Sequence, residues 1–502
     1  MSTRRLPAST PSAEGVDARG VEAFLDAIEA APDIEPHSVM ILRHGLLIAA
    51  GWWAPYGPDR VHLLYSLSKS FTATAVGLAA AEGLLNLDDP VGSYFPEFAA
   101  DITDPGSRSI LVRHVASMAS GHLTDTWDEA VARDRAEPVR GFLLLPPDRA
   151  PGTVFAYNQS ATYTLAAIVQ KLAGQSLIEY LRPRLLDPLG IRQAAWRQYP
   201  RDRDLGFSGL HATTDAIARL GLLYLNGGVW EGKRLLPAWW TAEATRAHVL
   251  NADGSAEGAS SDWQQGYGFQ FWMSRHGYRG DGAYGQFCLV LPEQDAVIAI
   301  TADTGQMHAV LDAVWGYLLP AFGSAAAGDG KARARRPADA ALQRRLSGLK
   351  LPPAPGGSSP AAGPGALLGA EFTPEGGSCA DQPSLVTVTV TDASDNGDCG
   401  IRLAEDDWSL SLRCAQGRWT VSEPGAPVPT AVSGGWTGPG TLTIDVAFLE
   451  TPHHLIITCT LPDRTFRARW RTRPLHRGRL RSMQAPRPAP VILDAPSPRN
   501  TG

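Results

Sequence analysis

The stretch YSLSKSF, residues 65–71, places a serine and a lysine three residues apart at the start of a long apolar segment. If this segment is a helix, Ser66 and Lys69 share one of its faces. Residues 70–81 carry no charge, which predicts a buried helix behind the pair. Burial and the positive end of the helix dipole both disfavour an ammonium group and lower the pKa of a lysine there. A neutral lysine can accept the proton of a neighbouring serine and activate it as a nucleophile, which an arginine cannot do.

This spacing is weak evidence by itself, because a serine often caps a helix while a nearby lysine extends its ammonium group to solvent. Lysine is rare in the chain, however, since only five of its 45 basic residues are lysines. A lysine at the edge of an apolar segment therefore needs a specific explanation, and the rest of the sequence must decide between a cap and a catalytic pair.

Two further segments would complete such a site. PGTVFAYNQS, residues 151–160, sets Tyr157 in a short extended segment before a helix, where a phenol can relay a proton to a leaving group. HGYRGDGAYGQFCLVLPEQD, residues 276–295, is a glycine-dense entry into an apolar strand, whose backbone a substrate could approach closely. Backbone N–H groups of Ser66 and of this strand would then form an oxyanion hole.

Together these segments resemble the serine β-lactamase and penicillin-binding protein superfamily, most closely its class C-like branch of esterases, amidases and peptidases. The resemblance spans roughly residues 15–322. The similar stretches, in the family's order, are YSLSKSFTATAVGLAAAEGLLNLDDPV, ILVRHVASMASGH, PGTVFAYNQSATYTLAAIVQKLAG, LLDPLGI and GLHATTDAIARLGLLYLNGG. The resemblance implies an α/β (α+β) sandwich of the β-lactamase and transpeptidase type, in which helices flank an antiparallel sheet. It also implies Ser66 as the acyl-forming nucleophile, Lys69 as its base and Tyr157 as the second proton carrier, without a metal or a cofactor.

The sequence departs from the family's second motif, which is commonly Tyr-x-Asn. Here the motif is Tyr157-Asn158-Gln159. Either Gln159 stands at the amide position or Asn158 reaches round to serve it.

The third motif, commonly Lys or His, then a small residue and Gly, is also altered. The best match is Tyr278-Arg279-Gly280, with Asp281 supplying the oxyanion-hole N–H, and His276 is a reserve candidate. The missing cation argues against strong recognition of the carboxylate of β-lactams and D-Ala-D-Ala peptides. Arg279 is the candidate to replace that charge from a neighbouring position.

The elements that must position these residues indicate two domains, since 502 residues exceed what one hydrophobic core usually supports. Helical periodicity recurs in the first domain, and Ser160 is the candidate N-cap of the helix after Tyr157. Alternating strands joined by Gly, Pro and Asp turns predict a C-terminal antiparallel barrel or sandwich. The predicted division is a mixed α/β domain over 1–322, a Pro/Gly/Ala-rich linker with a short helix at 338–347 over 323–366, an antiparallel β domain over 367–480 and a Pro-rich tail over 481–502.

Composition excludes several classes of protein. A net charge of −6 and a pI near 6.1 argue against binding to nucleic acid or to a membrane surface. No run reaches the roughly 18 apolar residues of a membrane helix, and the N-terminus lacks the apolar core of a signal peptide. Five irregularly spaced cysteines favour reduced thiols in a cytoplasmic protein. His453 and His454 with Cys459 lack metal-site spacing, so we assign them to strand surface and core.

The sequence therefore predicts a metal-free serine hydrolase of a small-molecule ester or amide, acting through an acyl-Ser66 intermediate. A D-amino-acid peptidase or amidase, or an acyltransferase with the same intermediate, is the catalytic alternative. A non-catalytic binding protein that retains the fold is the alternative from another class. The C-terminal domain has no catalytic motif, and by analogy it restricts access to the site or drives oligomerisation. Neither nucleic acid nor a membrane is an expected partner.

Overall fold

The computed structural model describes residues 5–323, 329–357, 368–394, 398–438, 440–476 and 478–487. The helices are α1 Ala18–Ala30, α2 Ser68–Ala81, α3 Pro105–Arg108, α4 Val112–Ala116, α5 Trp127–Arg133, α6 Pro138–Leu143, α7 Gln159–Ala173, α8 Leu177–Leu181, α9 Asp187–Leu189, α10 Thr214–Leu225, α11 Ala238–Ala244, α12 Ala256–Ser260, α13 Met307–Ala313, α14 Leu319–Ala321 and α15 Asp329–Ser347. The strands are β1 Ile34–Arg43, β2 Leu46–Trp52, β3 His62–Leu63, β4 Ala194–Trp196, β5 Leu210–Ala212, β6 Val229–Trp230, β7 Lys233–Arg234, β8 Trp272–Met273, β9 Tyr278–Gly282, β10 Gln286–Leu291, β11 Ala296–Thr304, β12 Glu371–Pro374, β13 Leu385–Ala393, β14 Cys399–Glu405, β15 Trp408–Cys414, β16 Thr420–Val421, β17 Thr430–Gly438, β18 Thr441–Phe448, β19 His454–Thr460 and β20 Thr465–Trp470. A 3₁₀ turn spans Tyr65–Leu67, and π-helical turns span Arg182–Leu186 and Val314–Leu318.

The first domain is built on a six-stranded antiparallel sheet in the order β2-β1-β11-β10-β9-β8. Along β10 the buried side chains alternate between two cores: Cys288 and Val290 join the core under α2, α7 and α10, while Phe287 and Leu289 join the core under α1 and α13. Helices therefore cover both faces of the sheet, and the predicted α/β sandwich is confirmed. None of the helices in the described part of the chain has the length and apolar character needed to span a bilayer.

Helix α2 carries the candidate lysine and is buried along nearly its whole length. Every residue from 68 to 79 is buried, because α2 packs against both α7 and β9. A helix enclosed on all sides must be apolar all round, which explains the charge-free run after Lys69. The 3₁₀ turn Tyr65–Leu67 leads directly into this helix and holds Ser66.

Helix α7 begins one residue before the predicted cap. Asn158 is the N-cap, since its Oδ1 accepts the N–H of Ser160 at 3.0 Å, so the assignment of the cap to Ser160 was wrong. Gly174 ends the helix in the left-handed conformation at φ 65°, as its position just past the apolar run indicates. The first helical residue is therefore Gln159, directly after the segment that carries Tyr157.

The predicted linker contains more structure than its composition suggests. Helix α15 is longer than the predicted short helix and packs on α1 and β2. Leu342 and Leu346 are buried in the core beneath α1. Residues 324–328 and 358–367 of the predicted linker lie outside the described residues, and the domain boundaries stay a prediction.

The C-terminal domain is one nine-stranded sheet in the order β15-β14-β13-β12-β20-β19-β18-β17-β16. All neighbouring strands pair antiparallel except β12 and β20. The sheet curls until β15 lies against β16 and β17, where a bridge joins Ala415 and Ser433. The result is a nearly closed barrel, one of the two predicted architectures. Of the predicted tail, residues 481–487 are described; Ala485 N donates to Glu450 Oε2 at 2.7 Å, and 488–502 lie outside the described residues.

Candidate active site

Ser66 lies half-buried on the 3₁₀ turn, directly after a residue with an unusual backbone conformation. Tyr65 adopts φ 48°, in the left-handed region that costs a non-glycine residue on the order of 1–3 kcal/mol. Its phenol forms a 2.5 Å hydrogen bond with Nε2 of His453, and its ring meets Tyr284 edge-on at 5.3 Å. His453 belongs to the C-terminal domain, so contacts from both domains hold the turn that presents Ser66.

Lys69 lies one helical turn after Ser66 and is 1% exposed. Its Nζ lies 3.2 Å from Ser66 Oγ, 2.6 Å from Gln159 Oε1 and 2.9 Å from the carbonyl oxygen of Phe207. The two carbonyl oxygens can only accept hydrogen bonds. A neutral lysine has two N–H groups for them and one lone pair, which then points at the hydroxyl of Ser66.

The surroundings of Lys69 favour this neutral form. Burial lowers the pKa of its ammonium group to about 7, and the carboxylates of Asp125 and Asp281 offset only part of that shift. A group with this pKa can take a proton from a hydroxyl at neutral pH and return it later.

Tyr157 brings a second proton-carrying group to the same serine. Its ring stacks on Trp272 at 5.2 Å, and its face lies 4.7 Å from Lys69 Nζ. Burial raises the pKa of the Tyr157 phenol well above its ordinary value, Asp281 raises it further, and a side-chain hydrogen bond with Ser66 acts in the opposite direction. Tyr157 therefore remains a phenol at neutral pH and can donate a proton. Ser66, Lys69 and Tyr157, from two segments far apart in sequence, thus meet at one point.

The two amides of the second motif have different places. Gln159 contacts Lys69 through its Oε1, and its backbone N–H donates to Asp125 Oδ1 at 2.9 Å. Asn158 is fully buried, and its Oδ1 accepts hydrogen bonds from Thr126 and Ser160. Gln159 occupies the amide position next to the lysine, because capping α7 turns Asn158 away.

Strand β9 carries the third motif and lies directly on the turn that holds Ser66. A Cβ atom at Gly280 would come within 2.3 Å of Leu67 Cδ1, and one at Gly282 within 2.1 Å of the Leu64 carbonyl oxygen. The glycine-dense pattern is therefore required so that the strand's backbone can approach the turn. This places Asp281, the candidate oxyanion-hole residue, between the two contact points.

Arg279 is fully buried and is held by protein groups. Its Nε contacts Asp281 Oδ2 at 3.0 Å, and its Nη1 donates to Ser274 Oγ at 2.6 Å and to the carbonyl oxygen of Asp262 at 2.8 Å. The guanidinium also lies 4.6 Å from the centre of the Trp263 ring. Its charge is paired with Asp281, which weakens the idea that it replaces the missing cation of the third motif.

Two histidines of the first domain, His276 and His122, have their contacts away from the serine. His276 packs edge-on against Trp315 at 5.0 Å, on the α13 side of the sheet. His122 is buried, with Nδ1 3.0 Å from Ser120 Oγ and Nε2 3.1 Å from the carbonyl oxygen of Leu145. Neither contact includes Ser66, Lys69 or Tyr157.

A cavity of about 280 Å³ opens above Ser66. Sequence reasoning named Ser66 and Gln159 among its nine lining residues and missed the other seven. Two of the seven, Leu475 and His476, follow β20 in the C-terminal domain. No local signal in the sequence marks them, since only the packing of one domain on the other brings them to the serine. The lining residues are Ser66, Asp125, Trp127, Asp128, Gln159, Phe207, Ser208, Leu475 and His476.

We expect the activity of the site to rise with pH through about 7. If the neutral form of Lys69 acts as the base, kcat/KM should fall about tenfold per pH unit below its pKa of about 7 and level off above that pKa. Tyr157 stays protonated throughout this range because of its raised pKa. Initial rates with an uncharged ester across pH would measure the midpoint. The matched control is His476→Gln, which removes the histidine of the cavity wall and should leave the midpoint unchanged; loss of the midpoint in that variant would assign it to His476 instead.

Comparisons with known proteins find similarity over the first domain. The family model described as Beta-lactamase matches residues 22–319. Three curated relatives are similar to parts of the chain. "6-aminohexanoate-dimer hydrolase" of Paenarthrobacter ureafaciens is 28% identical over 301 residues, 53% of this chain and 74% of the relative. "Penicillin-binding protein 4" of Amycolatopsis lactamdurans is 26% identical over 284 residues, 49% of this chain and 73% of the relative.

"Lovastatin esterase" of Penicillium rubens is 27% identical over 201 residues, 36% of this chain and 50% of the relative. These relatives include a 6-aminohexanoate-dimer hydrolase, a penicillin-binding protein and an esterase, which confirms the resemblance seen in the sequence. Because the family model covers more than half of the chain, including the segments of Ser66, Tyr157 and Asp281, this chain belongs to the Beta-lactamase family.

Proposed function

We propose that this protein is a serine hydrolase that cleaves a small ester or amide through an acyl-Ser66 intermediate. The observation that carries the proposal is the position of the buried Lys69 Nζ, 3.2 Å from Ser66 Oγ and in contact with two carbonyl oxygens. When the amine is neutral, these two acceptors take its N–H groups and leave its lone pair for the hydroxyl of Ser66. The relatives named as a hydrolase of the 6-aminohexanoate dimer and as an esterase support this reaction class.

The proposed reaction begins when Ser66 gives its proton to Lys69 and its Oγ attacks the carbonyl carbon of the substrate. The carbonyl oxygen becomes an oxyanion, which backbone N–H groups of Ser66 and Asp281 would stabilise. The bond to the leaving group then breaks, and Tyr157 delivers a proton to that group while Lys69 replenishes the phenol. Water then attacks the carbonyl carbon of the acyl-enzyme, and its proton passes through Tyr157 and Lys69 to Ser66 Oγ. The bond between Oγ and the acyl group breaks, which restores the Ser66 hydroxyl.

The cavity supports an uncharged or cationic substrate with a small acyl group. Its volume of about 280 Å³ lies at the small end of ligand pockets. Asp125 and Asp128 contribute carboxylates to the lining, and none of its nine residues is a lysine or an arginine. Electrostatic repulsion would therefore disfavour substrates that carry a carboxylate near the scissile bond, such as β-lactams.

A substrate panel tests the proposal. We expect short neutral esters and amides to be hydrolysed with kcat/KM at least tenfold above that of a carboxylate-bearing analogue of the same size. An added amine acceptor separates hydrolysis from acyl transfer, since transfer would yield an amide product in place of the free acid. Purified protein that neither turns over any member of the panel nor reacts with a fluorophosphonate probe would support the non-catalytic binding alternative.

We expect the C-terminal domain to limit the length of the acyl group. Leu475 is 57% exposed and lies in the wall of the cavity above Ser66. Leu475→Gly should widen the cavity and raise kcat/KM for long-chain relative to short-chain esters by about tenfold, because several methylene groups gain space. The matched control is Leu368→Gly, another exposed leucine of the same domain, at 64% exposure. An unchanged ratio of long to short esters in Leu475→Gly would contradict a selective role for this wall.

The cytoplasmic location stays a prediction. All five cysteines are buried.

A further inference from the structure

A buried polar cluster joins the two domains. Glu35 and His37 lie on β1 of the first domain, and His454 is the first residue of β19 in the C-terminal domain. Glu35 Oε1 lies 3.2 Å from His37 Nε2 and 3.0 Å from His454 Nε2. The three donor atoms all lie within 4.8 Å of one another. We name these three residues the interdomain triad.

Each histidine of the triad has a partner behind it. His454 Nδ1 lies 3.0 Å from Asp445 Oδ1, and His37 Nδ1 lies 3.1 Å from His62 Nε2. Metal-binding histidines in proteins almost always donate their second ring N–H in this way, which fixes the ring and directs the other nitrogen at the metal.

The hydrogen bonds of His62 determine which nitrogen of His37 is free. His62 Nδ1 lies 3.1 Å from the carbonyl oxygen of Leu63, which can only accept, so a neutral His62 carries its hydrogen on Nδ1. Its Nε2 must then accept from Nδ1 of His37. The Nε2 of a neutral His37 is consequently a bare lone pair, facing a carboxylate oxygen of Glu35 at 3.2 Å. Two acceptor atoms at this distance repel unless a cation lies between them.

We propose that Glu35, His37 and His454 bind a Zn²⁺ ion that fastens the C-terminal barrel to the first domain. Two histidines and one carboxylate are a common ligand set for zinc. With bond lengths of about 2.0–2.1 Å, the edge of a tetrahedral site is about 3.3 Å, close to both distances from Glu35 Oε1. The phenol of Tyr56, 3.3 Å from His454 Nε2, or a water molecule would complete the coordination.

The metal would also act on the wall of the cavity. Arg471 Nη1 lies 3.2 Å from Glu35 Oε2, and the chain runs from Arg471 to Leu475 and His476 above Ser66. A zinc ion in the interdomain triad would therefore fix the position of residues 471–476 relative to the first domain. The role is structural and stands independently of the proposed hydrolase reaction.

Metal binding can be measured directly on the full-length chain without a histidine tag. After dialysis against a chelator, we expect the protein to bind one equivalent of added Zn²⁺, measured by competition with a chromophoric chelator and by elemental analysis. Co²⁺ in its place should give the visible absorption of a tetrahedral or five-coordinate centre. Zinc should also raise the melting temperature of the chelator-treated protein.

Substitutions locate the site. Glu35→Gln and His454→Gln, with folding checked by circular dichroism, should each lower zinc affinity at least 100-fold and abolish the zinc-dependent rise in melting temperature. The matched control is His122→Gln, which removes a buried, doubly hydrogen-bonded histidine outside the triad and should bind zinc like the native chain. A native chain that binds no zinc would overturn the proposal and leave the cluster as an ion-pair network of Glu35, His454 and Arg471. Undiminished binding in both triad variants would overturn it equally.

Discussion

Replacement of Ser66 by alanine should abolish turnover and covalent labelling while leaving the fold intact. The substitution removes one half-buried oxygen atom, whose described partners are Lys69 and Tyr157, and it creates no clash. Loss of an attacking nucleophile in serine hydrolases costs on the order of 10⁴-fold or more in kcat. We therefore expect ester hydrolysis to fall by at least about 10⁴-fold. The mass increment left by a fluorophosphonate probe should disappear completely.

Ser68 supplies the matched control, because it is the first residue of α2, two positions after Ser66, and its hydroxyl has a structural role. Its Oγ donates to the Tyr65 carbonyl oxygen at 2.5 Å and accepts from the Leu210 N–H at 3.0 Å. Ser68→Ala should lower stability by about 1–3 kcal/mol, since a buried donor and acceptor lose their partner. It should nevertheless retain probe labelling. Labelling that survives in Ser66→Ala, or that depends on Ser68 instead, would show that the nucleophile is a different residue.

Replacement of Lys69 by arginine should be almost as damaging. The guanidinium stays protonated at every accessible pH and cannot accept the proton of Ser66. Removal of a general base typically costs about 10²–10⁴-fold. Lys69→Met, close to lysine in shape but without an amine, should show a similar loss, because the proton acceptor is missing in both variants.

The pH profile separates a missing base from a misfolded site. Both Lys69 variants should lack the rise in kcat/KM with a midpoint of about 7 that we expect of the native chain. Lys171→Arg serves as the control, because that lysine is exposed and pairs with Glu97 at 2.5 Å on the surface. It should keep the native rate and profile. A Lys69→Arg protein that retains a pH-dependent rate would assign the base to another group.

The sequence predicted most of the fold where the pattern is local and regular. The period-two stretches indicated β13, β15, β16, β18, β19 and β20. The period-two pattern did not indicate β12, β14 or β17. Strand β17, TAVSGGWTG, has two adjacent glycines where Gly434 packs on Cys414 and Gly435 meets Gly356, so its pattern is set by close contacts and not by alternation. Strand β12 is only four residues long, and β14 ends on a buried charged residue, Glu405, which interrupts the apolar pattern of its buried positions.

Within the site, the residues found from the sequence are those whose positions depend on one helical turn or one glycine-dense strand. Ser66 and Lys69 are three residues apart, and the helix brings them within 3.2 Å of each other. Gln159 could not be chosen over Asn158 from the sequence, because the choice depends on which amide caps α7. The pairing of Arg279 with Asp281 depends in turn on the residues that surround β9.

By itself, the sequence determined that a serine and a lysine share the buried start of an apolar helix, because helical geometry relates residues three apart wherever the helix lies. Only the tertiary structure decided three sets of contacts. The carbonyl oxygen of Phe207 accepts a hydrogen bond from Lys69, Leu475 and His476 line the cavity above Ser66, and Glu35, His37 and His454 form the interdomain triad. These contacts join residues far apart in the chain, so no spacing records them. The contacts of Leu475, His476 and the interdomain triad exist because two domains bury their surfaces against each other. The burial that lowers the pKa of Lys69 comes instead from the packing of α2 on α7 and β9 within the first domain.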